Sequence, residues 1–300
     1  MKSSFRLRLE YTAAAVAAAV LSPVAGAAQA FDLSTLEPVP ELVERVPEEI
    51  ANRGVLIGGA DNAYAPWEFL AGDDGQTPQG IDIDLGRAIA RTLGLEYESR
   101  TAPFPSILPS LGSKYDIGLN ALSITNERME VVNFITYSDT QSLWVVREGN
   151  PTGFDPANYC GATVAIMPGT YHEKHMDIDN QACLDADKPA IKKLPFSVQT
   201  EAITRVATGG ADATVTGGGT AAYAVKQSGG KLENLEPVGS MGQRGPNGIA
   251  VIKDDTELTQ LIADSLNYLI DEGVYAEIYE FWGVGHFLVD EAVINPKVEN

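Results

Sequence analysis

The chain has 300 residues, 44% hydrophobic and 21% charged, a composition that fits a folded globular protein and argues against disorder. Its formal net charge of −20 repels phosphate backbones and anionic lipid, which argues against nucleic-acid or peripheral-membrane binding and leaves a small-molecule ligand open. The length allows one large domain or two lobes with a cleft between them.

Residues 1–30 place Lys2, Arg6 and Arg8 before the apolar run TAAAVAAAVLSPVAG and close on Ala28-Gln29-Ala30, the layout of a secretory signal peptide with an A-x-A cleavage site. The run is short for a bilayer span. Cleavage before Phe31 would remove three basic residues and one acidic residue, taking the net charge from −20 to −22. Neither of the two cysteines lies near that site, so a periplasmic protein without a lipid anchor is expected. Strong net charge makes a monomer the default.

Residues 31–53 read as an acidic, proline-punctuated leader in which VPEEIANRG forms a turn or two before Gly54 stops it. From Val55 strand-like and helix-like runs alternate, which predicts a parallel sheet. In IDIDLGRAIARTLG, Ile81, Leu85, Ile89 and Leu93 recur every four residues ahead of Gly94, giving a helix with one apolar stripe. Asp82 and Asp84 in GIDIDLG sit near that helix start, where they favour the dipole. Tyr64 and Trp67 follow the first strand and Phe104 the third apolar segment, so all three point to the rim where a parallel sheet forms its ligand crevice.

The stretch LNALSITNERMEVVNF, residues 119–134, holds an anomaly. Ser123 and Thr125 are good helix N-caps, yet Arg128 falls in the first turn, where the dipole disfavours a cation by roughly 0.3–1 kcal/mol. After SLWVVREG the alternation restarts as a second unit of similar size, and the closing segment TELTQLIADSLNYLIDEGVYAEIYEFWG carries apolar residues at helical spacing. Cys160 and Cys183 have one possible pairing in an oxidising compartment, or they are two separate buried thiols. The cluster YHEKHMDIDN, with His172, His175, Asp177 and Asp179, departs from H-E-x-x-H spacing and reads as a solvated helix face. There is no phosphate-binding loop, nucleophile elbow or dinucleotide fingerprint. No cofactor, no metal and no catalytic residues are expected.

Five segments, DNAYAPWEF, GIDIDLGRAIARTLG, YDIGLNALSITNERMEVVNF, CGATVAIMPGT and GGADATVTGGGTAAYAV, in that order, closely resemble the bacterial extracellular solute-binding proteins of family 3, polar amino-acid receptors of ABC importers. The resemblance covers nearly all of the chain after the signal peptide. It implies an α/β, two-lobed periplasmic-binding-protein fold of type II, with two hinge-crossing strands near residues 140–143 and 243–248. Lobe 1 would comprise 54–141 plus 246–300, and lobe 2 would comprise 142–245. The closing helices would return to lobe 1.

The same resemblance implies that Arg128 binds a ligand α-carboxylate, which compensates its place in the first turn. Ser123 and the backbone at Asn120 and Ala121 would add hydrogen bonds from lobe 1. Gly169 and Thr170, at a helix N-terminus, would add N–H groups from lobe 2. Asp61, Tyr64 and Phe104 match positions that flank the ligand side chain, with Trp67 beside them. One departure stands out: many members carry an acid for the ligand α-ammonium where this chain has Gly217, so Asp61, Glu68 or another carboxylate replaces it, or the ligand is not an ordinary α-amino acid. Tyr171 and His172 stand where smaller or amide residues are frequent. The implied function is capture of a small carboxylate-bearing solute for ABC permease membrane subunits. The alternatives are an exported cyclohexadienyl or arogenate-type dehydratase on the same fold and a sensory or partner-docking module.

Overall fold

Apolar strands alternating with amphipathic helices build two separate five-stranded sheets in a computed structural model that describes residues 30–238 and 245–299. The expected signal peptide, Ala30 apart, lies outside the described residues. The leader forms two short helices, α1 (Pro40–Val43) and α2 (Glu48–Arg53), the second ended by Gly54 at φ 71°, in the left-handed region that glycine tolerates.

The chain then runs through β1 (Val55–Ala60), a small antiparallel sheet of β2 (Ala63–Tyr64), β3 (Glu68–Ala71) and β4 (Thr77–Gln79), helix α3 (Ile81–Thr92), β5 (Glu96–Thr101), β6 (Ile117–Gly118), helix α4 (Asn126–Met129) and β7 (Val132–Thr140). A single residue, Gln141, joins β7 to β8 (Ser142–Arg147) in the second sheet. There follow β9 (Thr163–Ile166), α5 (Tyr171–Asp185), β10 (Lys192–Pro195), α6 (Gln199–Ala207), β11 (Ala213–Gly217), α7 (Gly218–Gln227) and β12 (Leu232–Leu235). The chain is back in the first sheet at β13 (Gly245–Ile252), followed by α8 (Thr256–Asp271) and α9 (Val274–Phe281). Part of the second expected crossing, Gln243 included, lies outside the described residues.

Both sheets are mixed, where the alternation of elements predicts parallel ones. The strand orders are β5-β1-β6-β13-β7 and β10-β9-β11-β8-β12. In the first, β1 pairs parallel with β5 and β6, whereas β13 is antiparallel to both β6 and β7. In the second, β9 is parallel to β10 and β11, and β8 is antiparallel to β11 and β12. The cause in the first sheet is the crossing itself: β7 leaves the lobe and β13 returns to it, so the two run in opposite directions.

The first lobe's core follows the apolar spacing. Ile81, Leu85, Ile89 and Leu93 are buried against Leu258, Leu261, Ile262, Leu266 and Leu269 of α8, each buried aliphatic side chain contributing roughly 1.5–3 kcal/mol. The closing helices therefore pack on lobe 1. The second lobe has its own core around Trp144, Phe154 and Tyr159, with ring centroids 4.8 Å and 5.0 Å from Trp144. Among the described residues no helix is long and apolar enough to cross a membrane.

Cys160 and Cys183 form a disulfide that ties the loop before β9 to the last turn of α5, with a sequence separation of 23 residues. Closing a loop of that length restricts the unfolded chain by about 3 kcal/mol. Cys183→Ser should lower the urea-unfolding stability by that amount, and a reductant should destabilise wild type but not the variant. Equal midpoints for wild type and variant under oxidising conditions would contradict this.

Candidate functional site

Thr125 starts α4 as its N-cap, accepting the backbone N–H of Arg128 on its hydroxyl at 3.2 Å. That cap fixes the turn and sends the Arg128 side chain across the gap between the lobes. Its Nη1 donates to the Ser123 carbonyl at 2.8 Å in lobe 1, and its Nη2 donates to the Gly169 carbonyl at 3.1 Å in lobe 2. The Phe104 ring lies beneath, 5.6 Å from the guanidinium carbon, in cation–π range. Burial pulls its pKa down to about 10, which leaves it cationic at neutral pH. No carboxylate among the described residues forms an ion pair with it.

Around this arginine the lobes touch directly. The Tyr64 hydroxyl is 2.7 Å from Thr216 Oγ1 and accepts the Gly217 N–H at 2.9 Å. A Cβ on Gly217 would stand 3.1 Å from the Tyr64 oxygen, so glycine is what lets Tyr64 reach the opposite backbone. Glu127 of lobe 1 pairs with Lys174 of lobe 2 near the same edge. A cavity of about 30 Å³ beside Arg128 is bordered by Tyr64, Phe104, Asn120 and Thr170. It shares Tyr64, Ala121, Ser123, Tyr171 and His172 with a larger cavity of about 520 Å³ on the hinge side, within the range of small-molecule sites.

The loop that carries Asn120 and Ala121 is mounted on buried acids. Ala121 sits at φ 41°, a conformation that costs an L-residue roughly 1–2 kcal/mol. Its N–H donates to Asp82 Oδ2 at 2.9 Å, and the Tyr137 hydroxyl donates to the same oxygen at 3.0 Å. The Asn120 side-chain oxygen accepts the Asp61 backbone N–H. Asp61, Glu68 and Asp82 are all buried. Burial pushes Asp61 and Asp82 up to about 6, and it holds Glu68 well above the glutamate range, reinforced by the charges of Asp82 and Asp61. Neither Glu68 carboxyl oxygen has a hydrogen-bond partner among the described residues, so nothing offsets the burial that favours its neutral form.

Several expectations change. Asp82 and Asp84 stand in the first turn of α3, as expected, and also anchor tertiary structure: Asp84 accepts the Phe31 N–H and the Trp282 indole N–H, and pairs with Arg87. Asp61 and Glu68 border neither cavity, so neither replaces the acid missing at Gly217 from the cavity wall. Trp67 borders the larger cavity but is only 1% exposed and packs edge-on against Tyr137 and Tyr279. The Gly169 N–H is already taken by Glu173 Oε2 at 2.8 Å, and the N-cap Thr170 accepts the Glu173 N–H on its Oγ1. His172 is not on a solvated face. It is buried, 2.8 Å from the Ser142 hydroxyl, and burial lowers its pKa to about 4. No group of three or more His, Cys, Asp or Glu among the described residues could hold a metal. Thr216, Ser142 and the tail residues Lys297 and Glu299 also border the site; Thr216 lies inside the GGADATVTGGGTAAYAV segment, where nothing singles it out, and the other three belong to no motif that would have flagged them.

The model of the bacterial extracellular solute-binding proteins, family 3, matches residues 56–285. The chain belongs to that family. Among family-3 relatives, it is 35% identical to the arginine-binding protein ArgT of Corynebacterium glutamicum over 266 residues, 88% of this chain and 86% of that one. Two solved structures share the fold: an ancestral arginine-binding protein bound to arginine (TM-score 0.68, 31% identity, 77% of this chain and 99% of that one) and AncCDT-1, an ancestral amino acid-binding protein that is a precursor of cyclohexadienyl dehydratase (TM-score 0.65, 30% identity, 78% and 98%).

The acids beneath the family-3 cleft predict a pH effect. Their folded pKa values lie above those of the unfolded chain, so the folded state holds more protons from about pH 4 upward, and stability falls as pH rises through about 6 and beyond. Glu68→Gln, a permanent mimic of the protonated acid, should make the decline of Tm between pH 5 and 8 shallower. At pH 8 it should raise Tm by about 2–4 °C per kcal/mol relieved. A slope identical to wild type would contradict the assignment.

Proposed function

We propose that the protein is an exported, periplasmic receptor that captures a small carboxylate-bearing solute, an amino acid or derivative, and delivers it to the membrane subunits of an ABC permease. The observation that carries this reading is Arg128: a cation strung between carbonyls of both lobes with no anionic partner among the described residues. A ligand carboxylate supplies that partner through a charge-assisted contact of ~1.5–3 kcal/mol. Because Arg128 reaches lobe 2, the same contact favours the closed arrangement. The names of the relatives make arginine the first ligand to test, and the strongly negative protein attracts a cationic solute.

A dehydratase reading draws on the relationship to AncCDT-1. It needs a general acid in the cleft. Gly217 offers none, and His172, with its pKa lowered to about 4, is neutral at pH 7. Both features favour binding without chemistry.

Ligand at a hundred times its Kd should stabilise wild type by about 2.7 kcal/mol. Arg128→Ala should remove that thermal shift while the apo protein stays folded. A ligand-induced rise in Tm equal to wild type would overturn the reading. Aromatic product from a cyclohexadienyl acid would support the enzyme instead.

A further inference from the structure

The larger cavity, about 520 Å³, is roomier than a carboxylate clamp requires, and part of its wall is built by a segment that no motif identified. After α9 the chain runs back along β7. Thr136 donates its N–H to the Val293 carbonyl at 3.0 Å, Asn295 donates its N–H to the Phe134 carbonyl at 2.9 Å, and Phe134 donates to Asn295 Oδ1 at 2.9 Å. Asn126 of α4, two residues from Arg128, donates to the Val298 carbonyl at 3.3 Å. These bonds fix the tail to lobe 1 and bring Lys297, Val298 and Glu299 to the cavity wall.

Exposure alternates along residues 295–299, with Lys297 and Glu299 exposed and Pro296 and Val298 half-buried, the pattern of extended chain in which residues two apart share a face. Among the described residues bordering this cavity, these two carry the formal charges at neutral pH, since His172 is neutral. The rest of the wall is hydroxyl, amide, aromatic or backbone, and Gly217 contributes no acid. A cation and an anion side by side on one face complement a zwitterionic head group, a carboxylate on Lys297 and an ammonium on Glu299.

We propose that the tail is a specificity-determining wall of the binding site, with Lys297 and Glu299 recognising the distal end of an elongated ligand whose near carboxylate rests on Arg128. The ligand class is an amino acid bearing a second amino-acid head at the end of its side chain. This rests on the receptor reading above.

Isothermal titration of the full chain with 2,6-diaminopimelate, with lysine and with 2-aminopimelate tests it. Lysine lacks only the distal carboxylate, and 2-aminopimelate lacks only the distal ammonium. Wild type should prefer diaminopimelate over each by at least about tenfold, a preference that shrinks as salt rises. Lys297→Ala should abolish the preference over lysine, and Glu299→Gln the preference over 2-aminopimelate. Each variant should bind its single-headed control within about twofold of wild type, a pattern that a merely structural role for the tail would not give. Binding of the single-headed compounds with no preference in wild type, or a preference unchanged in both variants, overturns the role of the tail and leaves the receptor reading intact. No binding by any of the three, with no amino acid shifting Tm, overturns both.

Discussion

A half-buried guanidinium that reaches across a cleft and finds only carbonyl oxygens is the interaction around which this protein is organised. Arg128 gives up part of its hydration, which lowers its pKa to about 10 against the opposing pull of the Glu127 charge, and its hydrogen bonds go to carbonyl dipoles rather than to a carboxylate. Ser123 holds one arm and Gly169 the other. An anion placed between the lobes would relieve the imbalance, and it would do so best when lobe 2 is in contact with lobe 1. Binding and closure then share one electrostatic cause.

The surrounding structure keeps that geometry available. Thr125 caps the turn that aims Arg128, and Phe104 lies under the guanidinium. The Asn120–Ala121 loop rests on Asp82 and Asp61, with Ala121 in a strained backbone conformation that persists because its N–H has a fixed acceptor. Those acids are expensive to bury in the charged form, and burial raises the pKa of each, which favours the neutral form. On the opposite side the Gly217 N–H donates to the Tyr64 hydroxyl, so the lobes meet there through a tyrosine.

Much of this arrangement was legible in the sequence. The four-residue spacing of Ile81, Leu85 and Ile89 predicts α3, and the order of motifs identifies the family and the return of the closing helices to lobe 1. Arg128 stood out as a cation close behind two N-cap residues, an anomaly that the structure removes, since α4 is a single turn in which the acidic Glu127 precedes it and Arg128 falls in the last turn. What the sequence hid depends on long-range pairing. Asp82 is legible as a first-turn acid of α3, but its second role, accepting the N–H of Ala121 thirty-nine residues away, is not. His172 sits in a polar run, and its burial against a partner such as Ser142, thirty residues earlier, is not visible in the local pattern. The antiparallel hinge strands follow from chain crossing, which local alternation does not encode. Lys297 and Glu299 lie in a segment without periodicity, and only the tail's bonds to β7 bring them to the cavity.

The need of Arg128 for an anion can be measured without altering the protein. Wild-type protein is titrated with its best amino-acid ligand and with the matching amine that lacks the α-carboxylate, agmatine in the case of arginine. The amine should bind at least about tenfold more weakly. Equal affinity for the two would contradict a site built around Arg128.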